Sequence, residues 1–154
     1  MRRGHLPDRR LQRIEGPLGD EAGNVRGHAA ARMGLIDHDE AADNLAKKGI
    51  TCTVVDPRTT SPLDRETILE TVEETGRLVV VDEAHPRCSM ASDIAGLVAE
   101  EAFGALKAPI KLVTAPHVPV PFSPALEDIY IPSVAKIEAA VRAVMEYDRK
   151  AAAE

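Results

Sequence analysis

The residues best placed to do chemistry follow two apolar runs. Val79-Val80-Val81 leads into Asp82-Glu83-Ala84-His85-Pro86-Arg87-Cys88, and Ile110 to Val113 leads into Thr114-Ala115-Pro116-His117 and a proline-rich stretch. An apolar strand ending in Asp-Glu matches the pattern by which nucleotide hydrolases hold Mg²⁺ through the aspartate and polarise water with the glutamate. That chemistry needs a G-x-x-x-x-G-K-[ST] phosphate cradle upstream. No glycine in the chain is followed directly by lysine, and residues 1–78 contain no substitute. The favoured reading is that Asp82 and Glu83 end a buried strand and bond nearby backbone amides or a neighbouring subunit.

His85 and His117 each sit on a strand-end loop and could meet above a sheet. A metal site would need further ligands in a closed shell, and Cys88 and Asp82 are the only local options. A Cys88–His85 dyad lacks an organising carboxylate, although a helix beginning at Ser89 would sit beside the thiol. Arg87 offers a guanidinium to a carboxylate on a partner. Residues 116–132 hold five prolines (Pro116, Pro119, Pro121, Pro124, Pro132), which keep the segment extended while presenting Val118, Val120 and Phe122. A stiff apolar loop loses little entropy on docking, so it serves an interface or packs on its own domain. No catalytic, cofactor-binding or metal-ligating residue is assigned; the interface candidates are His85, Arg87, His117, Pro121, Phe122 and Glu127.

The bulk numbers exclude several classes. A net charge of −6 and a pI near 5.4 argue against a surface that tracks phosphate backbones, and an aromatic content of 3 % against base-stacking platforms. Cys52 and Cys88 form no cluster, which fits reduced thiols rather than a stapled secreted framework. No apolar run approaches the roughly 20 residues of a membrane span, and Met1-Arg2-Arg3 is followed by polar residues rather than the apolar core of an export signal. The expectation is a soluble cytoplasmic protein that binds neither nucleic acid nor membrane.

The elements that position the two loops alternate strand and helix. Helices are expected over Glu40–Lys48, Asp64–Thr75, Ser89–Phe103 and from Ser133 onward; strands over Ile50–Val55, Leu78–Val81 and Ile110–Thr114. Gly49, Gly76 and Gly104 fall where left-handed caps or stops belong. Either Asp64 or Ser61 with Pro62 caps the second helix. Leu78–Val81 has no polar alternation, as in a strand covered on both faces. The first 34 residues differ, holding seven of the 13 arginines, no lysine and six of the ten glycines. They read as a disordered leader, a shifted frame or misassigned start, or, less well, a basic arm for nucleic acid. Residues 1–36 are therefore set apart from a domain over 37–150 whose first strand is missing.

Three stretches carry a resemblance. Gly49-Ile-Thr-Cys-Thr-Val-Val-Asp-Pro-Arg-Thr-Thr-Ser-Pro-Leu-Asp64, the Arg77–Ser89 loop and Pro116–Ser133 together resemble the transketolase C-terminal domain. They are closest to the end of the beta subunit of thiamine-diphosphate-dependent pyruvate, branched-chain or acetoin dehydrogenases, over about residues 40–147. The resemblance implies a three-layer α/β/α fold with a mixed, mostly parallel sheet. It also implies that thiamine diphosphate and Mg²⁺ belong to the holoenzyme and are bound elsewhere, none by this chain alone. The implied partners are an alpha subunit, a second beta subunit and the dihydrolipoyl acyltransferase core, in an oligomeric oxidoreductase complex. The chain then reads as a fragment serving assembly and docking, inactive alone; the alternative is a free-standing α/β binding or regulatory protein using the same fold.

Overall fold

The computed structural model describes residues 29–31 and 38–151. In chain order it contains β1 (Ala29–Ala31), α1 (His38–Ala46), β2 (Thr53–Val55), α2 (Arg65–Thr75), β3 (Leu78–Asp82), α3 (Met90–Glu101), β4 (Lys111–Thr114), α4 (Pro124–Tyr130) and α5 (Val134–Ala151). What the sequence implies for residues 1–28, 32–37 and 152–154 lies outside the described residues.

The strands pair in the order β2-β1-β3-β4, every ladder parallel. The mixed character implied by the resemblance is not found among the described strands. Parallel neighbours need crossover helices, which cover both faces, and β3 shows the result. All five of its residues are buried. Leu78 and Val80 pack with Val55, Ile68, Val72, Ile94 and Val98 of β2, α2 and α3. Val79 and Val81 pack the other way, with Leu45, Val113, Ile137, Val141 and Val144 of α1, β4 and α5. A period of two along one apolar strand thus seeds two cores, giving the expected three layers.

The local signals hold at most element ends. Asp64, rather than Ser61, caps α2 by accepting the Thr67 amide at 3.1 Å; Ser61-Pro62 is a cis peptide. Gly76 adopts φ +72° and its N–H bonds the Val72 carbonyl, closing the helix in a conformation that a Cβ disfavours. Ser89 and Ser92 form a reciprocal capping box on α3.

Three expectations are corrected. First, the strand thought missing is present: Ala29–Ala31 forms β1 and pairs with β2 on one side and β3 on the other. Alanine has weak β propensity, but the slot between β2 and β3 presents backbone donors and acceptors that need partners. Second, α3 ends at Glu101 and a 3-10 turn over Phe103–Ala105 follows, so Gly104 lies in that turn rather than closing the helix. Third, the proline-rich segment is not extended throughout, because Pro124 starts the seven-residue α4 at a position where its missing N–H costs nothing.

Candidate functional site

Parallel α/β sheets present their functional loops at the carboxyl ends of the strands. Here the loops after β3 and β4 lie side by side and are tied together. The Ala115 N–H donates to the Ala84 carbonyl at 3.2 Å, and His85 Nδ1 lies 3.1 Å from the Pro116 carbonyl. A carbonyl oxygen can only accept, so His85 Nδ1 carries the proton. The His85 ring stands 4.9 Å from that of His117, tilted by 34°, and meets the Tyr130 ring edge-on at 6.5 Å. The expected meeting of the two histidines above the sheet is therefore found. Tyr130, which the sequence analysis did not single out, joins them; its one signal was the spacing of Leu126, Ile129 and Tyr130 behind a helix-starting Ser-Pro pair.

Asp82 explains the Asp-Glu signature. Its carboxylate is buried and accepts the Ala84 amide at 2.9 Å and the Ala91 amide at 3.2 Å. Ala91 lies in the first turn of α3, so the carboxylate fastens the end of β3 to the positive end of that helix. The backbone-bonding role expected for Asp82 is the one observed.

Of the six interface candidates, His85 and His117 are brought together ring against ring. His85 and Pro121 are half-buried, whereas Arg87, His117, Phe122 and Glu127 are exposed. Phe122 is exposed to the full extent of its side chain, and Val118, Val120, Leu126, Ile129 and Ile131 are exposed beside it in sequence. Phe122 therefore does not pack on its own domain, and Val118 and Val120 are covered only in part. At the far end of α4, the Lys136 ammonium donates to the Ile129 and Ile131 carbonyls at 2.7 and 2.9 Å, which satisfies groups the helix leaves open.

The described residues do not fit Mg²⁺ or a diphosphate. Mg²⁺ needs several oxygen ligands in octahedral array, and among the described residues no three His, Cys, Asp or Glu side chains converge to supply them. The start of α3, where an anion would sit, is closed by the Ser89–Ser92 box and by Asp82. Among the two cysteines, Cys88 is exposed at φ +54°, while burial pushes the Cys52 thiol up to about 12. Among the described residues, no helix is long and apolar enough to cross a membrane.

With this geometry in hand, comparison with known proteins is specific. Residues 37–137 match the family described as transketolase, C-terminal domain. The chain is 63 % identical over 115 residues to the beta subunit of acetoin:2,6-dichlorophenolindophenol oxidoreductase from Cupriavidus necator, an alignment covering 73 % of this chain and 34 % of that protein. It is 41 % identical over 112 residues to the beta subunit of the pyruvate dehydrogenase E1 component from Rhizobium meliloti, covering 73 % of this chain and 24 % of the relative. Among solved structures, one titled as a split gene transketolase, inactive beta4 tetramer, aligns at a TM-score of 0.67 and 26 % identity, over 82 % of this chain and 40 % of the other. The chain thus spans about a third of the length of the curated relatives it matches.

Proposed function

Because this chain belongs to the transketolase C-terminal domain family, we propose that it is the C-terminal domain of the beta subunit of a thiamine-dependent acetoin or 2-oxo acid dehydrogenase. Its task there is subunit assembly and docking, with the bond-breaking chemistry carried out by residues outside it. The 63 % identity to an acetoin oxidoreductase beta subunit carries the reading and favours acetoin among the substrates. The fully exposed Phe122, on a stiff loop with Val118 and Val120, supports the docking role. Water is a poor neighbour for such a strip: burying one phenylalanine contributes about 1.5–3 kcal/mol. The partners this implies are an alpha subunit, a second beta subunit and the acyltransferase core.

Two measurements test the proposal. Calorimetric titration of the chain with thiamine diphosphate and Mg²⁺ should give no one-to-one heat; a saturable one-to-one isotherm sinks the division of labour. Phe122→Asp should weaken alpha-subunit capture or self-association at least tenfold. Unchanged association by both assays would remove Phe122 from the docking surface.

A further inference from the structure

The exposed strip is an excursion of the chain whose two ends meet at one side chain. It leaves the sheet at Ala115, exposes Val118, Val120 and Phe122, and returns through α4 to Tyr130. His85, on the neighbouring loop, touches both ends. Its Nδ1–H reaches the Pro116 carbonyl and its ring faces His117 at the start; the edge-on contact with buried Tyr130 marks the finish. Closing a loop of this length against chain entropy needs contacts at its base. Besides His85, the hydrogen bond from the Ala115 N–H to the Ala84 carbonyl and the Lys136 ammonium on the α4 carbonyls help to hold the base.

We propose that His85 is a positioning residue that clasps the two ends of this excursion, so that the Val118–Phe122 strip is presented to a partner subunit already ordered. This rests on the docking role proposed above but assigns His85 a different part from contact with the partner. A preordered strip binds more tightly because less entropy remains to be lost on docking. The necessary feature is a hydrogen-bond donor at the Nδ1 position. Asparagine places its amide nitrogen close to that point, whereas the longer glutamine reaches instead toward Nε2.

The test uses hydrogen exchange on the full-length chain, with association measured in parallel. In His85→Ala, the Ala115 amide and those of the last turn of α4 should exchange about fivefold faster, the loss expected for one hydrogen bond. Amides of β3 should stay protected, which shows that the variant is folded. His85→Asn should restore most of the protection at Ala115 and His85→Gln should not. Unchanged exchange at Ala115 and α4 in His85→Ala overturns the proposal, as does His85→Asn exchanging as fast as His85→Ala. Faster exchange with unaltered alpha-subunit capture and self-association overturns the claim that the clasp preorders the strip for docking, whereas the docking role itself fails only if Phe122→Asp also leaves association unchanged.

Discussion

Replacing Asp82 with alanine separates a structural carboxylate from the catalytic one its neighbours in sequence suggest. The side chain is 4 % exposed and accepts two backbone amides, at 2.9 and 3.2 Å. Ala91 is fully buried, so removing the carboxylate leaves its N–H without an acceptor and with no route to water. An unsatisfied buried donor costs about 1–3 kcal/mol. The Ala84 amide lies nearer the surface and adds less, about 0.5–1 kcal/mol, and the loss of an anion at a helix N-terminus adds about as much again. The total is about 3 kcal/mol. With a urea dependence of about 1.5 kcal/mol/M for a domain of this size, the unfolding midpoint should fall by about 2 M. Asp82→Asn keeps one acceptor but turns an NH₂ toward the second amide, so its midpoint should lie between those of Asp82→Ala and the parent. Equilibrium unfolding followed by circular dichroism reads both. If the two variants stay within about 0.5 kcal/mol of the parent, below the least that the buried Ala91 donor alone should cost, the carboxylate does not join β3 to α3 and the explanation of the Asp-Glu signature is wrong.

Three further outcomes are expected. Gly76→Ala should destabilise by about 1–2 kcal/mol, because alanine resists the left-handed conformation and its Cβ would sit 2.8–2.9 Å from the Lys107 side-chain carbons; an unshifted melting curve would contradict this. Alkylation at pH 8 followed by mass spectrometry should label exposed Cys88 and spare Cys52, whose thiol, at about 12, leaves on the order of one thiolate in 10⁴; equal labelling rates would show that Cys52 is not shielded. Glu138 has its carboxyl held below the usual range chiefly by the Lys48 hydrogen bond at 2.8 Å, with the positive charges of Lys48 and Arg142 adding to it. A depressed carboxyl contributes stability above the unfolded value of about 4.3 and loses it as pH falls through the folded value. Glu138→Gln should therefore be less stable than the parent at pH 7, with the difference shrinking as acid protonates the folded carboxyl and vanishing once it is fully neutral; a difference that persists in strong acid would exclude this ion pair as the cause.

The helices and strands were legible wherever a local signal matched a tertiary need. Leu78–Val81 read as a doubly covered strand and is one; Asp64, Ser89 and Gly76 marked helix ends by the hydrogen bonds or backbone angles they supply. The three alanines of β1 carry no such signal, since their place depends on the backbone edges of two other strands. Likewise α4 is short and its prolines dominate the reading, although the Leu126, Ile129 and Tyr130 spacing was there to be seen. At the candidate site, the nearness of His85 and His117 followed from both lying at strand ends. Tyr130 did not follow, because its contact with His85 joins residues far apart in the chain. The likeness to beta subunits was legible because several motifs recur in the right order over the whole domain.

The uniformity of β3 leaves one question of alignment open to polar chemistry alone. Leu78 to Val81 offers nearly the same apolar surface in either direction, so oil-like burial would tolerate sliding the strand by one step. Asp82 would not: one step inward strands its charge among valines, and one step outward takes it beyond reach of the Ala91 amide. The carboxylate thus works as an index mark that tells an otherwise featureless ribbon where to stop, and it does so at the rim from which the His85 loop departs.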